Sequence, residues 1–411
     1  MRALIVAPNI SKRMGGEAVL PYHYIEKMSA RGVELHAATH ARVREEILES
    51  PLADKAQFHF LEDARAEQLI HRMGEAAPAA LRDAVFNASV GFITMARLGD
   101  LVRRLDRETA FYVIHQPIPV SPMFPSFLTG LRAPTIIGPM NGAMAFPPAF
   151  RKAYSKGADS AVAFARPLGA AVNRIANGKG KADLLLVAND RTRMGLPGHL
   201  DFHKVQTFVE NGVDLRLWTP HNETPRHPHF VFVGRLIPLK AVDILIDAFA
   251  CVPAPAQLTI IGDGPERASL ESRSEEKATG RVHFTGFLPQ PEIAAQLKQA
   301  TALVFPSLRD CGGAVILEAF ACARPAIATA WGGPLDYITP ETGVLIDPCS
   351  RNDMVTGFQC AMERLAGDSD LANSMGKAAR KRVEDHFDWS VKADQMLDIY
   401  NRIATRRRSA K

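Results

Sequence analysis

A doubly wound α/β fold with two domains is predicted from three observations. Strand-length apolar runs alternate with helix-patterned segments along nearly the whole chain, as in parallel sheets with crossover helices. A polar, proline-bearing stretch at residues 219–228 interrupts this alternation near the middle. The length of 411 residues is more than one hydrophobic core ordinarily organises. We therefore expect an N-terminal domain over 1–218 and a C-terminal domain over 219–389.

Short apolar runs in the first half have the length and residue types of buried strands. They lie at residues 2–7, 33–39, 58–61, 111–115, 135–138, 184–188 and 204–209. The second half continues with runs at residues 229–234, 258–263, 282–286, 302–307, 325–330 and 343–348. After them, the apolar residues of 391–404 are spaced to bury one helix face, so a helix over 390–411 is expected to complete the first domain. Two such domains facing each other would form a deep cleft at their strand carboxyl ends, where such sheets bind ligands.

Composition excludes several classes of protein. The chain is 47% hydrophobic and 23% charged, which is typical of a globular protein. The longest apolar runs are too short to span a bilayer, and the first residues lack the apolar length and cleavage site of a signal peptide, so a cytoplasmic location is predicted. The five cysteines are an odd number without a CxxC pair, which argues against a disulfide framework and a zinc site.

The formal charge of +5 is modest, but basic residues cluster between Phe150 and Lys181 and at Arg406–Arg408. Aromatic residues do not alternate with these charges as they do in single-stranded nucleic-acid sites, so no nucleic-acid partner is inferred. A solvated helix face and a frayed tail explain the clusters equally well. As a hypothesis, the first cluster predicts peripheral contact with an anionic membrane.

In the second half, the first residues that indicate a chemical role follow a buried-type strand that ends at Gly234. Arg235 and Lys240 follow it, and two fixed cations at such a strand end can hold a diphosphate. When the bond between a sugar and a diphosphate breaks, negative charge grows on the leaving oxygen, and the cations lower the barrier. Alone, an arginine and a lysine after a strand are more often solvated surface charges.

An ordered set of companions follows: IIGDGPE from Ile260, VHFTGF from Val282 and a longer block from Ala302 to Gly333. With these motifs the chain resembles glycosyltransferase family 4. The resemblance covers nearly the whole length of the chain, and the members of that family are retaining enzymes of the GT-B fold. The resemblance implies a retaining, hexosyltransferase-like enzyme that uses a nucleotide-diphosphate sugar as donor. It also implies a hydroxyl acceptor on a glycan, a lipid-linked molecule or a small molecule.

That family carries two acidic residues separated by seven others, and Asp310 and Glu318 match this spacing. The resemblance implies that Glu318 accepts hydrogen bonds from the ribose hydroxyls, and that Asp310 contacts hydroxyls of the donor sugar. Gly312 and Gly313 would let the backbone approach the ligand at a helix N-terminus. The family commonly has Glu at the first acidic position, so Asp310 makes the identity of the donor sugar an open question. A helix cap is the alternative role for Asp310.

In the first half, Gly15 and Gly16 lie in the loop after the first strand. The resemblance implies that this loop lies near the acceptor and the donor diphosphate, although a lone Gly-Gly pair is usually only a turn. His115 falls at the end of a strand, where the family often has a histidine close to the transferred sugar. A histidine bonded to backbone groups at a strand end is the alternative.

The family resemblance favours a front-face displacement in which Arg235, Lys240 and the departing diphosphate promote transfer, with His115 and Asp310 assisting and no metal or cofactor required. Asp368 and Asp370 resemble a metal-binding motif, but their position between helices favours a cap. Two alternatives stay open: a nucleotide-sugar epimerase on the same fold, and a noncatalytic nucleotide-sugar-binding module.

Overall fold

The computed structural model describes residues 1–65, 67, 70, 88–154, 169–221 and 227–409. Within them the chain forms two parallel sheets, and each strand predicted from the sequence is present. The first sheet contains β1 Arg2–Val6, β2 Glu34–His40, β3 Gln57–Leu61, β4 Val113–Gln116, β5 Thr135–Met140, β6 Leu184–Val187 and β7 Val205–Thr207. The second contains β8 His229–Val233, β9 Gln257–Ile261, β10 Val282–Gly286, β11 Ala302–Phe305, β12 Ala326–Thr329 and β13 Gly343–Ile346.

The strand order is β3-β2-β1-β4-β5-β6-β7 in the first sheet and β10-β9-β8-β11-β12-β13 in the second. In both sheets the chain moves outward from the first strand and then returns to its other side, which is the doubly wound pattern. Central strands such as β1, β6 and β11 are almost uniformly buried because helices cover both faces. The predicted fold class is therefore confirmed.

Helices connect the strands in each unit. In the first part of the chain they span Val19–Ser29, Arg44–Glu49, Ala88–Glu108, Arg151–Tyr154, 169–176, Gly178–Lys181 and Asp190–Met194. In the second part they span Val242–Ala250, Arg267–Ala278, Gln290–Lys298, Ala314–Ala321, Pro334–Tyr337, Arg351–Gly367, Ser369–His386 and Trp389–Ser409. None of the helices in the described ranges combines the length and apolar character needed to cross a membrane.

Contacts between residues divide the chain into two units. One contains Met1–Ala143, Ala161–Glu210 and Ala393–Lys411, and the other contains Met144–Ser160 and Asn211–Lys392. The C-terminal helix thus contributes its larger part to the first unit, where Met396, Ile399 and Tyr400 are buried. The division falls before the expected boundary at residue 219, and a short segment after β5 groups with the second unit.

Candidate active site

The second sheet reverses its strand order between β8 and β11, so the loops that follow these two strands lie side by side at one edge. In open α/β sheets, ligands bind outside the carboxyl ends of the strands at such a reversal. The loop after β8 carries Arg235 and Lys240, and the loop after β11 carries Asp310, Gly312 and Gly313. The strand order therefore brings the predicted cations and the first predicted carboxylate of this unit together.

The loop after β8 fixes two cations in different surroundings. The backbone N–H of Leu236 donates to Asp263 (2.9 Å), which ties the loop to the end of β9. Arg235 is exposed, and its side chain has no hydrogen-bond or ion-pair partner among the described residues. Lys240 forms an ion pair with Asp310, and its Nζ lies 4.9 Å from the centre of the Phe305 ring. One cation is free to meet a ligand, and the other is held by a carboxylate and an aromatic face.

Asp310 organises the loop that it belongs to. Its Oδ1 accepts hydrogen bonds from the backbone N–H groups of Gly312 (3.1 Å) and Gly313 (2.8 Å), while Oδ2 faces Lys240. Gly313 has a φ of 62° and directly precedes the helix Ala314–Ala321. Asp310 therefore has part of the capping role that was its alternative, although the residue at the N-cap position is Gly313. The same carboxylate also aligns Lys240, so Asp310 both stabilises its loop and orients a cation of the predicted site.

A second loop, Trp331–Gly333 after β12, packs against the Asp310 loop and was missed by sequence reasoning. The backbone N–H of Gly333 donates to the Asp310 carbonyl (2.9 Å), and a Cβ on Gly333 would lie 2.4 Å from the Gly312 carbonyl oxygen. A Cβ on Gly332 would meet the Asp310 carbonyl oxygen at 2.5 Å. Only glycine permits this backbone-to-backbone contact. The signal available in the sequence was the Gly-Gly pair after the strand.

Glu318 lies on the helix Ala314–Ala321, and its side chain is partly exposed. Desolvation raises the pKa of its carboxyl group to about 7. No described residue donates a hydrogen bond to this carboxylate or forms an ion pair with it. A desolvated acceptor without a protein partner is unfavourable unless something else supplies the donor. The arrangement suits a ligand that brings hydroxyl groups.

In the first sheet the strand order reverses between β1 and β4, so the loop after β1 corresponds to the loop after β8 in the second sheet. Gly15 and Gly16 have φ values of 64° and 55°, and the space where their Cβ atoms would lie is open. The backbone conformation, rather than crowding, therefore explains the two glycines. Glu17, the next residue, accepts a hydrogen bond from the backbone N–H of Val120 in the loop after β4 (2.8 Å). This bond joins the two loops that flank the reversal.

His115 lies inside β4 and is completely buried. One ring nitrogen is 2.7 Å from the Tyr400 hydroxyl, and the other is 2.6 Å from the Gly138 carbonyl oxygen. Because a carbonyl only accepts, the neutral ring donates to Gly138 and accepts from Tyr400. Desolvation lowers the pKa of His115 to about 4. The contacts are those of the alternative structural role, and contact of a ring nitrogen with a sugar would require one of these bonds to break.

Among the described residues, one group of three side chains, His40, Asp63 and Glu67, is close enough to suggest a metal site. Nδ1 of His40 accepts the backbone N–H of Arg42 (3.2 Å), so the proton of the neutral ring is on Nε2, which faces Asp63 at 3.3 Å. The oxygens of Glu67 already accept from three donors: the Ala64 N–H, the Thr94 hydroxyl and the Arg97 guanidinium. Because Nε2 of His40 carries a proton and the oxygens of Glu67 are engaged by other donors, the group does not fit a metal.

The aspartates of the sequence Asp368-Ser369-Asp370 lie at the start of the helix Ser369–His386. The side chain of Asp368 accepts the backbone N–H of Leu371 (2.8 Å), which caps the helix as predicted. The Phe150–Lys181 basic cluster is only partly described, since residues 155–168 lie outside the described ranges. Within it, Lys179 is buried and donates to the Pro122 carbonyl (2.6 Å).

Comparison with known proteins finds sequence similarity that is centred on the second unit. Residues 219–382 match the family described as "Glycosyl transferases group 1". An alpha-maltose-1-phosphate synthase from Mycolicibacterium smegmatis is 29% identical over 218 residues, which cover 48% of this chain and 56% of that protein. A D-inositol 3-phosphate glycosyltransferase from Corynebacterium glutamicum is 30% identical over 247 residues, covering 54% and 57%. The chain spans about half the length of the curated relatives it matches.

Solved structures with the same architecture cover almost the whole chain. A sucrose-phosphate synthase from Thermosynechococcus elongatus has a TM-score of 0.67 at 20% identity, with 98% of this chain and 99% of that chain covered. The Anabaena protein HepE, solved in complex with UDP, has a TM-score of 0.68 at 15% identity, with 98% and 100% covered. These similarities show the GT-B fold that the family resemblance implied.

Proposed function

We propose that this protein is a glycosyltransferase that moves a sugar from a nucleotide-diphosphate sugar to a hydroxyl acceptor, and the match of residues 219–382 to the family described as "Glycosyl transferases group 1" supports the proposal. The observation that carries the proposal is the group at the carboxyl edge of the second sheet. There Arg235 follows β8 without a partner among the described residues, Lys240 pairs with Asp310, and the helix that begins after the Asp310 loop carries the desolvated Glu318. The UDP bound to HepE supports a donor of this class, and the name of the related D-inositol 3-phosphate glycosyltransferase supports sugar transfer.

Each side chain has a role that its chemistry allows. Arg235 and Lys240 would bind the diphosphate and stabilise the charge that develops on the leaving oxygen. Lys240 is already oriented by Asp310, which lowers the reorganisation needed when the donor binds. Glu318 would accept hydrogen bonds from the ribose hydroxyls, since an ionised carboxylate is a strong double acceptor. Asp310 would accept hydrogen bonds from hydroxyls of the donor sugar, with the carboxylate lone pairs that its contacts within the loop do not use.

The family resemblance leads us to propose that the hexose is transferred with retention of configuration by a front-face displacement. In this step the bond between the anomeric carbon and the diphosphate oxygen breaks, the acceptor oxygen bonds to the same face, and the acceptor proton passes to the departing diphosphate. Two fixed cations supply the charge neutralisation that a divalent metal provides in other enzymes, so we propose that no metal is required. We propose that Gly15 and Gly16 contribute to donor binding through backbone N–H groups, which suit an anionic ligand.

A thermal-shift screen of UDP-, GDP- and ADP-sugars tests the donor site, because a ligand that binds the folded state raises its stability by mass action. One nucleotide class should raise the Tm of the wild type, and Lys240→Ala and Glu318→Ala should abolish that shift. Lys381→Ala and Glu276→Ala are the matched controls, since both alter exposed residues of the same unit. The absence of a shift with every nucleotide sugar at high concentration would contradict the proposal.

Activity assays distinguish a transferase from the two alternatives, an epimerase and a noncatalytic binding module. Release of nucleoside diphosphate that depends on an added acceptor indicates a transferase. Conversion of the sugar without an acceptor indicates an epimerase, and binding without either indicates a noncatalytic module. The configuration of the product, read from the coupling constant of the anomeric proton, tests retention.

Contact with an anionic membrane stays a proposal for the described cations Arg151, Lys152 and Arg174, all of which are exposed. Lys179 is excluded because it is buried. Arg407 is also engaged, since it pairs with Asp183 (2.6 Å) and donates to two backbone carbonyls. Sedimentation with vesicles containing phosphatidylglycerol at low salt should carry the protein down, and the charge-reversed variant Arg151→Glu with Lys152→Glu should stay in solution. Equal sedimentation of both would remove the proposal.

A further inference from the structure

Loop residues 11–14, which lead from β1 to Gly15, fold around one carboxylate that belongs to another element. Glu46, on the helix Arg44–Glu49, accepts the backbone N–H groups of Lys12 (2.9 Å) and Arg13 (3.1 Å) at Oε1. Its Oε2 accepts the hydroxyl of Ser11 (2.5 Å), and that hydroxyl in turn accepts the backbone N–H of Met14 (2.9 Å). Glu46 thus holds the backbone of the whole segment that precedes the two glycines.

The charge of Glu46 suits this task. Burial opposes ionisation, but the hydrogen bonds from Ser11, Arg13 and Lys12 outweigh it and lower the pKa of the Glu46 carboxyl group. Ionised carboxylates make stronger hydrogen bonds to backbone N–H groups than neutral acceptors do. Glu45, its neighbour on the same helix, is exposed and has no partner among the described residues. On the same helix Glu49 pairs with the exposed side chain of Arg13 (3.2 Å), so of the three carboxylates Glu46 alone accepts from the loop backbone and Glu45 does not contact the loop.

The loop that Glu46 holds continues into an unusual backbone. Gly15 and Gly16 are both in the left-handed region, and the N–H of Gly15 donates to no described residue. On its other side, the loop is fixed by the bond from Val120 to Glu17. Without a fixed segment before Gly15, two consecutive glycines would sample many conformations, because glycine has the largest backbone freedom.

We infer that Glu46 is a positioning residue for the reaction: it fixes residues 11–14 so that the backbone N–H groups at Gly15 and Gly16 are held in place to bind an anionic group of a substrate. This inference rests on the proposed function, and it adds a residue that belongs to none of the predicted site motifs. Glu46 does not touch the substrate. Its effect passes through the loop, so it should act on the rate of transfer more than on the binding of the donor by the second unit.

The test compares Glu46→Ala, Glu46→Gln and the matched control Glu45→Ala in the full chain, with the donor identified by the nucleotide-sugar screen. The measurements are kcat per folded protein, donor Kd from calorimetry, and Tm. We expect Glu46→Ala to lower kcat at least about tenfold while the donor Kd changes less than about threefold, since a donor held 1 Å off its productive position loses rate before affinity. Glu46→Gln keeps one acceptor oxygen for both N–H groups, so it should restore most of the rate, and Glu45→Ala should match the wild type.

Two outcomes overturn the inference while the proposed function stands: an active wild type with Glu46→Ala within about threefold of its kcat per folded protein, or a fall in kcat that is matched by an equal loss of donor affinity. A third outcome, a wild type that neither binds nor turns over any nucleotide sugar, contradicts the proposed function itself. Gly16→Val provides a second variant. If it lowers kcat and Glu46→Ala does not, the loop matters but Glu46 does not position it.

Discussion

The two sheets have the same strand order around their central strands, but the corresponding loops offer a ligand different groups. After β8 and β11, the second sheet presents charged side chains, namely Arg235, Lys240 and Asp310. After β1, the first sheet presents the backbone of Gly15 and Gly16, while the exposed cations Lys12 and Arg13 of the same loop contact Tyr22 and Glu49. Topology therefore determines where a ligand can meet each sheet, while the loop residues decide whether side-chain charge or backbone N–H groups meet it.

His115 and Asp310 sharpen this contrast, because both were expected to serve the donor sugar. Asp310 lies beyond the end of its strand, in a loop that remains partly exposed. His115 lies within its strand, where neighbouring strands and the C-terminal helix surround it. A polar residue inside a central strand must find protein partners, whereas one beyond the carboxyl end can keep a face open for ligand.

The largest effect is expected when Lys240 is replaced by alanine. The variant loses a cation beside the leaving group and leaves Asp310 without its partner, so kcat should fall by about 100- to 1,000-fold. Initial rates of nucleoside diphosphate release measure the effect, with Lys381→Ala as the control. A fall in kcat smaller than about threefold would mean that the carboxyl edge of the second sheet does not stabilise the leaving group.

The next effect concerns Glu318 and depends on pH. Its pKa of about 7 in the free protein means that ribose hydroxyls, which prefer the ionised carboxylate, bind with release of a proton. Donor affinity should therefore rise roughly tenfold from pH 6 to pH 8 and then level off. Glu318→Gln should bind at least about tenfold more weakly at pH 8 and show a flat profile, which calorimetry in two buffers can resolve.

The stability of Glu318→Gln provides a second check, because ionisation of Glu318 should strengthen donor binding but destabilise the folded protein. Because the folded-state pKa of Glu318 is raised above its ordinary value of 4.5, ionisation destabilises the folded protein progressively between pH 4.5 and 7, and fully above pH 7. Glu318→Gln should therefore have a higher Tm than the wild type at pH 8 and an equal Tm at pH 4. Equal melting curves at both pH values would contradict the desolvation of this carboxyl group.

Asp310→Asn separates the two roles of Asp310. The asparagine side-chain oxygen can still accept from Gly312 and Gly313, but the charge that aligns Lys240 is lost. We expect kcat to fall about tenfold with little change in Tm, and Asp310→Ala to lower both. If Asp310→Asn behaves like the wild type, the ion pair does not contribute to the reaction.

His115→Gln should have the smallest effect on turnover and a clear effect on stability. Because the folded-state pKa of about 4 is below the unfolded value of 6.5, the neutral ring stabilises the fold above pH 6.5, and this stabilisation is lost as pH falls toward 4. The free energy of unfolding of the wild type should therefore fall by about 3 kcal/mol more than that of the variant over this range. Chemical denaturation measures it. A fall in kcat above about tenfold in folded protein would restore the predicted catalytic role.

The strands and the two-domain α/β class could be predicted from the sequence because buried strands leave continuous apolar runs, and a parallel sheet leaves a helix between them. Arg235, Lys240 and Asp310 could be named because they follow buried strands within an ordered set of motifs that resembles a known family, whereas an isolated charge after a strand would not have indicated a site. Trp331–Gly333 and Glu46 could not, since their importance depends on contacts with loops far away in sequence. Met144–Ser160 follows a strand of one unit yet groups with the other, and no local pattern in the sequence indicates this.

The most direct test is a crystal structure of the protein with a bound nucleoside diphosphate, solved with and without added magnesium. We expect diphosphate oxygens within about 3 Å of Lys240 Nζ and the Arg235 guanidinium, ribose hydroxyls at Glu318, and the same contacts in both crystals. A diphosphate that binds away from these three residues, or that reaches them only through a metal ion, would contradict the assignment of the donor site to the carboxyl edge of the second sheet.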